Sequence, residues 1–199
     1  MQRPDLFQIE STAMPRAGSS RTGRLLVLAC SATKRLDPGY IPARDRYDGP
    51  LWQTLRTVDP NGRLASVAFL SARYGFQEAT APIQDYDARL TEDLAARMIA
   101  GGMTTRWPRP LSPRRPDNCG MHPGAEIASM ARHGREPFHD VALVGGHLYL
   151  RVMRAFLAEF IRMKCVLPTA AVVEINGPIG QMRRQLRTWL EHPAARSQP

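Results

Sequence analysis

Four short apolar runs constrain this 199-residue chain more than any other feature. They are RLLVLAC at 24–30, LASVAFLS at 64–71, VALVGG at 141–146 and TAAVVEI at 169–175. Each is strand-length, and small or turn-forming residues follow it, so each reads as a β-strand and the first three as buried ones. Segments of helical spacing separate them. Leu51, Leu55 and Val58 share one helix face, and residues 91–100 form a helix opened by Thr91 and the acidic Glu92 and Asp93. A short helix is expected at 125–133. Residues 147–163 carry a core stripe of Leu148, Val152, Phe156 and Phe160 with Met153 and Leu157. A basic helix, QMRRQLRTWLEH, runs to residue 192.

Strands alternating with helices predict an α/β domain with a central parallel or mixed sheet flanked by helices. In such folds ligands bind beyond the carboxyl ends of the strands. The unusual segments all follow strands: CSATK at 30–34, SARYG at 71–75, GGHLY at 145–149 and NGPIG at 176–180. Pattern alone therefore gathers four polar or glycine-rich segments on one edge.

The domain is expected over 23–192, after a disordered leader at 1–22 and before a short tail at 193–199. Residues 31–50 and 72–90 read as long loops. Residues 101–124 hold five prolines and four arginines around Trp107 and read as a basic insertion. No apolar run reaches about 18 residues, as a transmembrane helix requires. The N-terminus lacks an apolar signal core. Cys30, Cys119 and Cys165 are scattered and odd in number, which argues for a reducing, cytoplasmic setting and against a disulfide framework. No CxxC pair or spaced histidine set signals a metal.

Basic residues number 27 against 18 acidic ones, a formal charge of +9, and all but Lys34 and Lys164 are arginine. Arginine codons of a GC-rich genome produce such a bias. A polyanion partner also fits it, because the guanidinium fork matches phosphate. Arg16, Arg21 and Arg24 are further phosphate candidates on or beside the leader.

Several residues combine chemistry with position. Ser31 and Lys34 follow the first strand without P-loop spacing, and Cys30 beside them reads as a small buried thiol. Arg44, Asp45, Arg46, Tyr47 and Asp48 crowd one loop. Tyr74 sits on a small-residue turn and is placed to stack on a base. Asp85 and Asp87 flank Tyr86. Of the five histidines only His147, beside Gly145 and Gly146, stands at a strand end.

These segments, in this order, resemble the group related to the peroxide-stress protein YaaA, with a pattern similar to the uracil-DNA-glycosylase-like fold. The matches are Cys30, Ser31 and Lys34; Pro42, Ala43, Asp45, Tyr47 and Gly49; Ser71, Ala72, Tyr74 and Gly75; Asp85, Tyr86 and Leu90; Gly146 and Tyr149; Gly180 and Gln181. They span roughly residues 25–190. Arg73 and Phe76 replace the Lys and Leu of the pattern, and the 101–124 insertion departs from it, so a different or larger substrate is implied.

The resemblance implies nucleic-acid base chemistry: a DNA glycosylase for a modified base, such as glucosylated hydroxymethylcytosine in phage DNA, acting in antiviral defence. Cleavage develops positive charge on the sugar, and a carboxylate, Asp45 or Asp85, would stabilise it or orient water. Cys30, Ser31, Lys34, Tyr47, Ser71, Tyr74, Tyr86, Gly146, His147, Tyr149 and Gln181 would bind the substrate. Arg44, Arg46, Arg73, Arg114, Arg115, Arg183, Arg184 and Arg187 would hold the backbone of double-stranded DNA. No metal, cofactor, membrane or obligate protein partner is expected. Lys34 as a Schiff-base nucleophile stays open, as do a non-enzymatic DNA-binding stress protein and an N-glycosidase for free nucleosides or nucleotides.

Overall fold

The computed structural model describes residues 23–107, 121–134 and 136–192. The expected leader, with Arg16 and Arg21, most of the insertion, with Arg114 and Arg115, and the tail lie outside them. From the N-terminal side the elements are β1 (Arg24–Ala29), β2 (Ile41–Pro42), α1 (Ala43–Arg46), α2 (Pro50–Val58), β3 (Ser66–Ser71), β4 (Gly75–Glu78) and β5 (Pro82–Ile83). There follow α3 (Glu92–Gly101), a 3₁₀ turn at Gly102–Thr104, α4 (Pro123–Gly134), β6 (Phe138–Val144), α5 (His147–Arg162), β7 (Val166–Ile175) and α6 (Ile179–Glu191).

Five strands form one sheet in the order β4-β3-β1-β6-β7. The pairs β1–β3, β1–β6 and β6–β7 are parallel, and only β4 runs antiparallel, beside β3. The sheet is thus mixed and mostly parallel, with helices on both faces. Alternation along β1 divides the core. Leu25, Val27 and Ala29 pack with residues of α3, α4 and α5, including Met98, Ile127 and Phe156. Leu26 and Leu28 pack with Trp52 and Leu55 of α2 and with Leu186 and Leu190 of α6. Both faces of β1 are covered, which is why its run is apolar throughout.

Local signals explain several boundaries. The Thr91 hydroxyl accepts the Leu94 N–H at 3.2 Å and caps α3. The His122 ring Nδ1 accepts the Ala125 N–H at 3.1 Å at the start of α4. Pro50 occupies the first turn of α2, where its missing donor costs nothing.

The segment 72–90 is not the plain loop expected. It turns back at Tyr74–Gly75 into β4, which covers the edge of β3, and β5 then pairs with β2. Four- and two-residue strands carry too little alternation to register in a sequence. Gly75 takes φ +66°, and a Cβ there would lie 2.8 Å from the Trp107 Cβ. β7 starts three residues earlier than expected and forms the far edge, with Val172 and Val173 exposed.

β1 connects to β3 on one side of it, whereas β6 lies on the other side and connects onward to β7. The carboxyl ends of β1 and β6 therefore flank the topological switch point, the place where sheets of this kind bind ligands.

Candidate functional site

Cys30 and Tyr149 meet across this switch point. Cys30 immediately follows β1, and its Sγ lies 3.0 Å from the Tyr149 hydroxyl on the first turn of α5. Tyr149 is brought there by the glycine turn after β6. A Cβ on Gly145 would sit 2.8 Å from that of Ala29, so only glycine lets α5 start this close to β1. Gly146 is the N-cap, and His147 begins the helix at the surface. The Asn176 amide donates to the Gly145 carbonyl at 2.6 Å and ties the end of β7 to this turn.

A second group of hydroxyls gathers beside β3. Ser71, the last residue of β3, places its Oγ 2.7 Å from the Tyr86 hydroxyl, which is also 2.7 Å from the Tyr47 hydroxyl. The same Ser71 oxygen accepts the N–H groups of Arg73 and Tyr74, at 3.0 and 3.1 Å. Tyr74 meets Tyr86 edge to face at 5.2 Å. Tyr47 is buried between Trp52 and Phe69, with ring centroids 4.9 and 5.5 Å away. Trp52 in turn donates its indole N–H to the Ala29 carbonyl at 3.0 Å, fixing α2 to the end of β1.

Lys34 closes the group, its Nζ 4.3 Å over the Tyr86 ring, a cation–π arrangement. Ser31 lies under the turn into α2: a Cβ on Gly49 would fall 2.2 Å from its Oγ. Cys30, Ser31, Lys34, Tyr47, Ser71, Tyr74, Tyr86, Gly146 and Tyr149 thus come together from five separated segments. His147 joins them at the α5 start. Gln181 lies exposed on the first turn of α6.

The electrostatics limit what the hydroxyls do. Burial pushes Tyr47, Tyr86 and Tyr149 well above the ordinary tyrosine range, and the neighbouring Cys30 adds to the push on each. They stay neutral through physiological pH, serving as donors and acceptors and not as bases. The half-buried Tyr86, Tyr149 and Cys30 can meet a neutral, polar ligand edge, whereas Tyr47, Ser71 and Tyr74, expected to bind substrate, are buried and support Tyr86 instead.

Both expected carboxylates stand outside this network. Asp45 is half-buried on α1. Asp85 is exposed, and its Oδ1 accepts the N–H of Tyr86 at 2.9 Å. Asp85 is therefore held one residue from a member of the cluster.

The expected backbone contacts divide. Arg73 is exposed on the turn after β3. Arg183, Arg184 and Arg187 line a cleft of about 240 Å³ with Thr54 and Gly180, along the α2–α6 groove that begins at the same edge. The Arg183 Nε donates to the Thr54 hydroxyl at 3.1 Å. Three expectations need correction. Arg46 is wholly buried, its Nη1 and Nη2 donating to the backbone carbonyls of Arg35, Asp37 and Gly39 and its Nε left without a partner, so it is closed to phosphate. Arg24 is buried against Asp140, 2.8 Å away, and is likewise closed. Arg44 donates to the carbonyls of Asp59 and Pro60 and lines a cleft by the amino end of β3, away from the switch point.

Trp52, Arg56 and Asn176 were not legible as site residues. Arg56 donates to the carbonyls of Arg44 and Tyr47, both at 2.7 Å, and so positions the Tyr47 backbone. Nothing in its sequence neighbourhood marks it.

No family model, curated protein or solved structure matches the chain. Among the described residues no helix is long and apolar enough to cross a membrane.

Proposed function

We propose that this chain is a DNA N-glycosylase that hydrolyses the bond between a modified base and its deoxyribose, the glucosylated hydroxymethylcytosine of phage DNA being the substrate class implied by the resemblance. One observation carries the reading: neutral hydroxyls and one thiol converge at the switch point, and an arginine-lined groove starts from the same edge. A base, or a sugar carried on it, is recognised by donors and acceptors. The DNA backbone is recognised by guanidinium groups.

In the reaction the C1′–N bond breaks and its electron pair leaves on the base nitrogen. Water adds its oxygen to C1′ and keeps one proton there as the new hydroxyl, while its other proton passes to the departing base nitrogen. The developing oxocarbenium charge calls for a carboxylate, and Asp85 and Asp45 remain the two candidates. Tyr86, Tyr149 and Cys30 would hold the base edge, with the buried Tyr47 and Ser71 orienting the Tyr86 hydroxyl from behind, and Lys34 would meet a flanking phosphate or the leaving base.

The test is base release, followed by mass spectrometry, on unmodified, uracil-containing, hydroxymethylated and glucosylated duplexes. Release from one substrate, lost in Asp45→Asn or Asp85→Asn, supports the reading and assigns the carboxylate. A second reading, a DNA-binding protein without catalysis, draws on the absence of either carboxylate from the hydroxyl network. It predicts tight, salt-sensitive binding to all four duplexes and no freed base.

A further inference from the structure

The two edges of the sheet are treated differently. β4, at one end, is four residues long. Its Phe76 and Gln77 are buried, α4 packs against it, and the Glu126 carboxylate accepts the Glu78 N–H at 2.7 Å. β7, at the other end, is ten residues long and mostly exposed. Eight large apolar side chains are exposed among the described residues. Five of them, Met163, Leu167, Val172, Val173 and Ile179, stand on β7 or just beside it in the chain. Scattered singly such residues are ordinary; gathered at one sheet edge they mark a contact surface.

An open edge is a row of backbone donors and acceptors, which proteins guard with lysine, proline or a bulge. Here the guards stand only at the start of β7. Lys164 precedes it, Pro168 lies near its beginning, and its register against β6 shifts between Phe138 and Asp140. From Ala171 to Ile175 the register is regular. The Ile175 carbonyl accepts the Gly145 N–H at 3.1 Å and so faces β6. Backbone groups alternate along a strand, so those of Val172 and Glu174 point away from the sheet. The charge in this stretch, Glu174, is held by Arg154 of α5 through two bonds of 2.6 Å. A partner for this edge brings an unpaired strand and apolar, uncharged side chains, and β7 of a second copy brings both.

We infer that β7 pairs antiparallel with β7 of a second copy, joining the two sheets into one, whatever the site acts on. A two-fold axis at Val172 lets its outward backbone groups bond those of its own mate. It sets Val173 against Ala171 of the other copy, and Glu174 against Ala170. No like charges meet, and Pro168, which lacks a donor, falls outside the paired stretch. The axis is normal to the sheet, so the exposed Arg184 and Arg187 of both α6 helices lie on one face of the joined sheet.

Sedimentation equilibrium of the full-length protein at about 0.1 mM is expected to read twice the chain mass of 22.2 kDa. Because Val172 faces its own mate, Val172→Lys sets two ammonium groups opposite each other and is expected to raise the dissociation constant by about tenfold or more. Val172→Pro removes the outward donor and is expected to weaken the dimer likewise, with the β6 ladder and the circular dichroism unchanged. Leu36→Lys, which removes an exposed leucine outside this edge, is expected to keep the dimer. By hydrogen exchange, the Glu174 amide is expected to be slow in the dimer and fast in Val172→Lys. A monomeric parent overturns the pairing and leaves the edge to another segment or another protein. A dimer that survives Val172→Lys, or one that Leu36→Lys also dissolves, overturns it as well. If the Val172 variants lose their circular dichroism, dilution of the parent decides: exchange at Glu174 is expected to speed as the dimer parts, and a rate independent of concentration overturns the pairing.

Discussion

The hydroxyls of Tyr47 and Tyr86 meet at 2.7 Å, although the two residues lie 39 positions apart in the chain. Tyr47 comes from the end of α1 and Tyr86 from the segment after β5. Tyr86 also reaches Ser71, so one phenol links the end of α1 to the end of β3.

Tyr86→Phe is expected to leave the buried Tyr47 hydroxyl unpaired, at a cost of about 1–3 kcal/mol. Replacing both tyrosines by phenylalanine is expected to cost less than the two single changes added, because the Tyr47 hydroxyl is then no longer stranded, while the loss of the Ser71 partner is common to the Tyr86 change and the double one. Urea unfolding of the four proteins measures the coupling. Strict additivity would show that the bond contributes nothing.

Arg24 and Asp140 form a buried ion pair at 2.8 Å. The Asp140 carboxylate also accepts the Trp189 indole N–H at 2.9 Å, and the Arg24 guanidinium stacks 3.9 Å from that ring. Arg24 donates as well to the carbonyls of Trp189 and Leu190, so the pair docks the end of α6. Asp140→Ala strands a buried cation and is expected to destabilise by about 3–5 kcal/mol. The double change Arg24→Met with Asp140→Leu is expected to recover a large part of that loss in urea midpoint.

Glu126 sits in α4, where burial raises its carboxyl above the ordinary glutamate value of 4.5; the Glu78 N–H, bonded at 2.7 Å, opposes the shift and the Glu78 charge adds to it. The folded state therefore holds this proton to higher pH than the unfolded chain. Its stabilising contribution is complete below the unfolded value and is lost as pH rises through the folded one. Glu126→Gln keeps the acceptor and removes the titration. The difference in melting temperature between variant and parent is expected to favour the variant increasingly as pH rises above about 4.5. A constant difference from pH 4 to 7 would contradict this.

Arg46→Met is expected to free the 35–39 backbone and speed tryptic cleavage after Arg35. Arg46→Lys is expected not to restore resistance, since one ammonium lacks the planar fork that reaches three carbonyls. Equal cleavage rates in all three proteins would mean that other contacts hold the loop.

The α6 face gives the last expectation. Arg184→Ala and Arg187→Ala are each expected to weaken DNA binding to a similar degree on every sequence and to reduce the salt slope by about 1. Fluorescence anisotropy across a salt series reads both effects. A change confined to one sequence would assign these arginines to base contact.

The fold class was legible because each main strand is a short apolar run and each main helix carries its own period. The segment Leu25–Ala29 reads as a two-faced buried strand without any knowledge of its neighbours. Thr91 announces α3 for the same reason: a cap is a local hydrogen bond. The gathering of the candidate residues was legible in outline, since a parallel sheet carries the residues after its strands to one edge, and Cys30, Ser71 and Tyr149 stand there. Which strands adjoin was not legible, because pairing between β1 and β6 joins residues more than a hundred positions apart. Only the tertiary structure decided that Cys30 faces Tyr149, that Asp45 and Asp85 stand off the hydroxyl network, and that Arg46 holds a loop and makes no phosphate contact. The reason is physical: composition counts a guanidinium or a carboxylate as a charge, and burial and partners decide whether that charge meets a ligand or a carbonyl of its own chain.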